Sequence, residues 1–333
     1  MTSFNFRRKL LIVLLSLAIV LVAAKILLKD KISFSDHETL LNEAEIRDKF
    51  NNILDDFGID QKLIKEKRIK DNSSGTEISS YKVQVPVDLS IPEILAEVFQ
   101  TFKKDSLKII STEKIKGGKT FVAFKNGDNV FLNCEFDYSK TYHRNKGYVS
   151  FIIRDVHPDN PSALRLLEST EKINFLLLPG SSNLKEQEII QKYGQQFSVL
   201  VDDNISEQKY KLDPGYSEVR IVTVIKTLVT DYQQAVCFIV DDNSAFYKSV
   251  NFEIFERELS KRKIKLFTTS DFVKLDNDEN LRNDFINQIG MIDPGGSKIF
   301  LMNEETFFSI EAEIKKFKKL GYRFIASSLI LQN

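Results

Sequence analysis

Three apolar runs in the second half of the chain stop abruptly at acid: Phe151-Ile-Ile-Arg-Asp155, Phe197-Ser-Val-Leu-Val-Asp-Asp-Asn204 and Cys237-Phe-Ile-Val-Asp-Asp-Asn243. Carboxylates at such places can move protons, hold a hard divalent cation through oxygen, or cap the turn that follows. Asp155, Asp202, Asp203, Asp241 and Asp242, with Asn204 and Asn243, supply oxygen donors suited to magnesium or calcium. The simpler reading is that each Asp-Asp-Asn ends a strand and caps what comes next. The chain has only three histidines. His157, two residues past Asp155, could reach the same strand-end face, although a His-Pro pair more often marks a turn.

Other nucleophile and phosphate chemistry finds little support. Ser181 and Ser182 follow Pro179-Gly180 without a Gly-x-Ser-x-Gly elbow. Lys116-Gly-Gly-Lys119 and Pro294-Gly-Gly-Ser297 lack the spacing of a phosphate loop and read as turns. Cys134 and Cys237 fit no zinc or thioredoxin spacing; they read as buried thiols, with a bridge between them left open. Lys plus Arg equals Asp plus Glu at 47 each, so no global field recruits nucleic acid. The lysine-rich stretches 62–70 and 315–319 read as solvated helix faces. Tryptophan is absent, which weakens a surface sugar platform, although ten tyrosines could still build one.

These residues need a frame to hold them. From Tyr148 onward, short apolar runs alternate with amphipathic stretches. The expected strands are 148–154, 173–178, 197–201, 235–240, 264–267, 298–302 and 323–326. The expected helices are 184–192, 219–230, 252–262, 280–289 and 306–320. Seven strands with helices between them suit an α/β fold, either an incomplete β/α barrel or an open doubly wound sheet. In both, ligands gather at the carboxyl ends of the strands, where the acids stand.

Residues 35–140 read as a small α+β domain. Ser35-Asp-His-Glu38 can cap a helix running to about Phe57, and Gly58 stops it. Asp71–Gly75 is a polar loop, Tyr81–Val85 alternates like a half-buried strand, and a second helix opens at Ser90-Ile-Pro-Glu93. Strands near 107–116, 120–124 and 129–136 follow, joined at Gly117-Gly118 and Asn126-Gly127. His37 and His143 are isolated and read as surface or turn residues, and a docking or spacer domain is the natural expectation. Tyr138–Gly147 marks the boundary.

Residues 1–30 carry Arg7, Arg8 and Lys9 ahead of Leu10–Ala24, with Lys25 before Ile26–Leu28. About 19 apolar residues can cross a bilayer if Lys25 snorkels. The basic flank then keeps the N-terminus cytoplasmic and exports the rest, making a single-pass membrane protein with its bulk in the periplasm or envelope. A cleaved signal peptide, with Val22-Ala23-Ala24 as its site, is the competing reading.

Taken in order, segments of residues 148–333 resemble the polysaccharide deacetylase family, carbohydrate esterases on a distorted β/α barrel. Phe151–Asp155 is similar to that family's strand ending in two aspartates, and Asn174-Phe-Leu-Leu-Leu-Pro-Gly180 to its strand ending in Pro-Gly. Tyr193–Phe197 resembles the helix end and strand that follow, while Leu212-Asp-Pro-Gly215 and Ala235–Phe238 resemble the approach to a ligand histidine. Gly295–Asn303 and Gly321–Leu329 resemble the last strands. The resemblance implies hydrolysis of an N-acetyl group by a divalent metal held by an aspartate and histidines.

The working positions depart from that pattern. Arg154 stands where the family has its base, and a guanidinium accepts no proton at neutral pH. Asp155 remains at a metal position. Leu200, Asp241 and Asn303 replace histidines, and Thr268 falls near an expected aspartate. A zinc-type site needs about three strong ligands, and the resemblance supplies Asp155 and Asp241. The expectation is therefore an anchored envelope pseudoenzyme that binds or scaffolds carbohydrate or peptidoglycan and needs no cofactor. One alternative is an active metal-dependent deacetylase with a rearranged carboxylate site around Asp155, His157 and Asp241, using a divalent metal. Another is a protein-interaction module that meets an envelope protein through the small domain.

Overall fold

The computed structural model describes residues 41–70, 77–127, 129–158 and 163–332. The membrane segment, His37, the 35–38 cap and the loop at 71–75 lie outside the described residues. No described helix is long and apolar enough to cross a membrane. The chain divides into two compact units. One runs to Leu54 and includes Ile59–Val85 and Ser90–Lys140; the other takes in Asp55–Gly58, Pro86–Leu89 and the chain from Thr141 onward.

In the first unit, helix α1 (Glu43–Asp56) starts later than the sequence suggested. Asn42 and Glu45 make a reciprocal cap, each side chain accepting the other's backbone N–H at 2.9 Å, and the helix begins there, a signal missed in the sequence. Ile46, Phe50, Ile53 and Leu54 form its buried stripe. Helix α2 (Ile91–Thr101) buries Ile91, Ile94 and Val98, with Pro92 in its first turn.

Five strands form one sheet: β1 (Ile64–Lys70), β2 (Glu77–Val85), β3 (Lys108–Glu113), β4 (Thr120–Asn126) and β5 (Asn129–Tyr138), in the order β1-β2-β5-β4-β3. The expected hairpins at Gly117-Gly118 and Asn126-Gly127 join β3 to β4 and β4 to β5. Phe50 and, just past α2, Phe102 meet Tyr81, Phe124 and Phe136 edge-on, which places the helices on one face of the sheet. The expectation of a helix face at 62–70 is corrected: Lys65–Lys70 lie in the edge strand β1, exposed and paired antiparallel with β2. Charged residues at nearly every position erase any periodicity, so cross-strand pairing rather than local pattern decides that element.

The second unit is α/β. Its strands are β6 (Tyr148–Arg154), β7 (Ile173–Leu177), β8 (Gln196–Val201), β9 (Phe238–Val240), β10 (Leu266–Thr268), β11 (Val273–Lys274), β12 (Ser297–Asn303) and β13 (Arg323–Phe324). Every pairing among them is parallel, in the order β10-β9-β8-β7-β6-β12-β11, with β13 also on β6. The helices are α3 (Leu164–Leu167), α4 (Asn183–Lys192), α5 (Glu218–Asp231), α6 (Phe252–Lys261), α7 (Leu281–Gly290), α8 (Glu304–Ser309), α9 (Glu311–Leu320) and α10 (Ser327–Leu331). The single helix expected over 306–320 is two, α8 and α9, meeting at Ile310. Ile310 is fully buried and keeps the three- and four-residue spacing of the buried Phe307, Ile314 and Phe317, which is why the sequence reads as one helix.

Chain length dictates the curl of this sheet. The edge strands β10 and β11 are separated by only Thr269–Phe272, a span that reaches about 18 Å from Thr268 to Val273. Seven strands laid flat would hold their edges about 29 Å apart. The sheet therefore bends into an incomplete barrel rather than the open doubly wound alternative.

Buried faces on both sides explain why the strands read as continuous apolar runs. Val149, Phe151 and Ile153 of β6 pack outward into the helical layer, while Ile152 joins Leu176, Cys237, Ile239, Ile299 and Leu301 inside the curl. Helix α10 closes the amino-terminal end of this interior. Its Leu331 packs there, Ser327 Oγ lies 2.7 Å from Ser150 Oγ, and Ser328 Oγ accepts a bond from Gln196 Nε2 at 2.7 Å.

Arg144, in the second unit, is almost wholly buried. Its Nε donates to Asp88 Oδ2 at 2.9 Å, and Nη1 donates to the carbonyls of Phe57 at 2.8 Å and Lys319 at 2.5 Å. The backbone N–H of Arg144 also donates to Asp88 Oδ1 at 3.0 Å.

Candidate functional site

Strand parity fixes what faces the open, carboxyl end of the barrel. Ile152, Leu200, Ile239, Phe272 and Leu301 belong to the interior, so Arg154, Asp202, Asp241, Lys274 and Asn303, two residues further on, take the next inward positions. Register agrees: Arg154 lies opposite Asn303, and the N–H of Asp241 bonds to the carbonyl of Val201 at 3.0 Å. Of the sequence-selected residues, Arg154, Asp202, Asp241 and Asn303 are thus gathered at one mouth, whereas His157 is not.

Most of the acids there are already occupied. Asp202, buried, accepts the backbone N–H of Asn204 at 2.8 Å and its Nδ2 at 3.0 Å. Asp203 accepts the N–H of Ala245 at 2.7 Å and of Phe246 at 3.4 Å. Asp241 Oδ1 accepts the N–H of Asn243 at 3.0 Å. Asp242 Oδ1 accepts from Thr269 Oγ1 at 2.8 Å, with Lys274 Nζ 3.9 Å away. Hydrogen bonds from Thr269 and Ser270 hold the Asp242 carboxyl below the usual carboxylate range. Asn303 Oδ1 accepts the N–H of Thr306 at 2.8 Å and caps α8. These short polar side chains stabilise the turns that leave the strands.

Asp155 has a left-handed backbone, φ 60°, which an aspartate tolerates better than most residues. It is mostly exposed, and its Oδ2 lies 3.5 Å from Arg154 Nε. Arg154 also approaches Asp276 Oδ1 at 3.7 Å. Exposed pairs of this kind contribute about 0–1 kcal/mol each. His157 places Nδ1 3.5 Å from Glu186 Oε1 of α4, so its contact is with the outer helical layer. Ser181 is tied down as well: Glu207 accepts both its hydroxyl at 2.7 Å and its N–H at 2.6 Å. The Gly180 peptide before it is gripped by the buried Tyr232 hydroxyl, which accepts its N–H and donates to its carbonyl.

A divalent metal does not fit this donor set. Among the described residues no group of three or more His, Cys, Asp or Glu side chains could hold a metal ion. The oxygens of Asp202, Asp241 and Asn303 serve local turns, and Arg154 and Lys274 bring positive charge to the mouth where a dication would need negative. The arrangement suits hydrogen bonding to a polar ligand at an exposed rim. Lys274, Thr269 and Asp276 were missed in the sequence. The strand carrying Lys274 is two residues long, too short for a periodic signal, although Phe272-Val273-Lys274-Leu275 does place a lysine among apolar neighbours.

A cleft of about 600 Å³ lies elsewhere, in the outer helical layer, where Arg165 stacks on Phe308 at 3.9 Å and bonds Glu311 at 2.7 Å. Cys134 and Cys237 are both free and buried. His143 is exposed.

No protein-family model matches the chain, and no curated protein matches it in sequence. Solved structures with a similar course include BA3943 from Bacillus anthracis, a CE4 family pseudoenzyme, at 16% identity over 71% of this chain and 94% of that one, with a TM-score of 0.38. A mutant of BA3943 matches at 16% identity over 71% of this chain and 97% of that one, again with a TM-score of 0.38. A mutant with restored enzymatic activity gives the same figures.

Proposed function

We propose that the second unit is a divergent polysaccharide-deacetylase-like domain that does not hydrolyse N-acetyl groups. The chain would act in the cell envelope by binding or scaffolding carbohydrate or peptidoglycan. The N-terminal apolar segment would hold it to the membrane with its bulk outside. One observation carries the loss of hydrolysis. Arg154, at the end of β6, stands where the resemblance puts a base, and the acids around it serve turns and ion pairs. A guanidinium keeps its proton at neutral pH, so it cannot activate water there. Binding is supported by the gathering of Arg154, Asp155, Asp242, Lys274 and Asp276 at the rim, where they can meet hydroxyl and amide groups.

The test is acetate release from chitooligosaccharides and from peptidoglycan by the full chain, with elemental analysis after incubation with zinc, magnesium or calcium. The expected result is no turnover and no stoichiometric metal. Turnover that disappears in Asp155→Ala would refute the proposal and favour the rearranged hydrolase.

A further inference from the structure

The five-stranded sheet carries α1 and α2 on one face, and among the described residues the side chains of its other face, Ile78 apart, are exposed or half-buried. On that face the register aligns Ser80, Asn133 and Ala123 across the three central strands, with Ile110 at the end of the row. The next row aligns Lys82, Glu135, Phe121 and Thr112. Small side chains beside large ones make a furrow that crosses the strands. Two clefts, of about 390 and 440 Å³, lie along it and share Lys82 and Glu135.

Charge along this furrow is lopsided. Lys62, Lys65, Lys82, Lys119 and Lys125 line the two clefts against Glu135, Asp137 and the neighbouring Asp60; Lys62 pairs with Asp60 at 3.0 Å, Lys119 with Glu135 at 2.6 Å and Lys82 with Glu135 at 3.6 Å, so the cations still outnumber the acids by five to three. The hydrogen bond from Lys119 first, and the nearby charges of Lys119 and Lys82 with it, hold the Glu135 carboxyl below its usual value against the opposing effect of burial. Phe121 is 36% exposed, with Lys114 Nζ 5.3 Å from its ring centroid, so a ring and a further cation stand together. Ser80, Thr112 and Asn133 offer hydroxyl and amide groups.

We infer that this furrow binds a saccharide chain carrying carboxylates, a site outside the deacetylase-like unit and beyond the function proposed above. Lysines are complementary to the carboxylates, the Phe121 ring to the apolar face of a sugar, and the hydroxyl and amide groups to its hydroxyls. A peptide adding as a strand needs free backbone groups, whereas those of β2, β4 and β5 here are spent in the sheet ladder. A saccharide needs only side chains.

The experiment is calorimetric titration of the full chain, in mild detergent, with hexagalacturonate, neutral N-acetylchitohexaose and hexaglutamate. Hexagalacturonate should bind at least tenfold more tightly than either control. Lys82→Glu with Lys125→Glu should weaken that binding about tenfold. Lys82→Gln with Lys125→Gln, a gentler pair should the first disturb folding, should weaken it about fivefold, and Phe121→Ala about threefold. Lys226→Glu, on α5 of the other unit, should leave it unchanged. Absence of binding, equal binding of hexaglutamate, or wild-type binding by both lysine pairs would each overturn the inference. None of these outcomes bears on acetate release.

Discussion

Replacing Arg144 with alanine should destabilise the second unit by about 3–5 kcal/mol at pH 7. Its side chain is 5% exposed and binds an aspartate carboxylate and three carbonyls, those of Phe57, Lys319 and, at 3.4 Å, Asp88. Removing one partner of a buried ion pair costs about 3–5 kcal/mol, because the other charge stays behind without compensation. Stranded carbonyls add about 1–3 kcal/mol each when water cannot reach them. Asp88 keeps a side-chain exposure of 14%, so water relieves part of the loss, and the total stays within the first range. At about 2–4 °C per kcal/mol for a unit of this size, the midpoint of thermal unfolding should fall by about 10 °C. Arg144→Lys should recover part of the charge term but not the fork that reaches the carbonyls.

The dependence on pH supplies a sharper check. Burial works to raise the Asp88 carboxyl, but the hydrogen bonds and charge of Arg144 outweigh it and hold the group below its usual value. In the wild type, this stabilisation is complete above the unfolded-state value near 4 and is lost as pH falls through the lower folded-state value. In Arg144→Ala, burial acts unopposed by the guanidinium, and protonation of Asp88 relieves the variant. The stability gap should therefore narrow on acidification from pH 7 to pH 3.5. Denaturant melts of both proteins across that range measure it. A gap under 1 kcal/mol at pH 7, or one that does not change with pH, would refute the reasoning.

Two further outcomes follow from the same structure. Both cysteines are buried, and burial raises the Cys134 thiol well above its usual value and the Cys237 thiol to about 11, so an aromatic disulfide reagent at pH 8 should titrate less than a tenth of the thiols in native protein and both after unfolding. Asn303→Ala removes the cap of α8 and should cost about 1 kcal/mol in denaturant melts, with Asn303→Asp or Asn303→Ser restoring most of it.

Much of the second unit was legible because a parallel sheet covered on both faces writes itself as short apolar runs. The runs at 148–154 and 173–178 and the amphipathic stretch at 252–262 all correspond to elements with closely similar bounds. Elements held together mainly by their neighbours were not legible. Strand β1 is charged along its length and exists through its pairing with β2, while β11 spans two residues beside β12. The site was legible to the same depth. Acids were placed at strand ends by composition alone, but which atom each carboxylate accepts from depends on loops such as 241–247, whose course is set by packing. Lys274 escaped notice because its strand did.

Strand β6 opens the second unit, yet one of its edges waits for β12 and part of the other for β13, and Ser150 meets Ser327 across 177 residues. A nascent chain leaving the ribosome cannot complete this barrel until those late segments emerge. Until then β6 exposes unsatisfied backbone and a greasy inner face, and closing so long a loop is slow. The polypeptide thus passes through a prolonged, incompletely folded phase, and a nonsense lesion ahead of residue 297 would leave the opening strand with one flank and part of the other bare and a product prone to aggregate or be degraded.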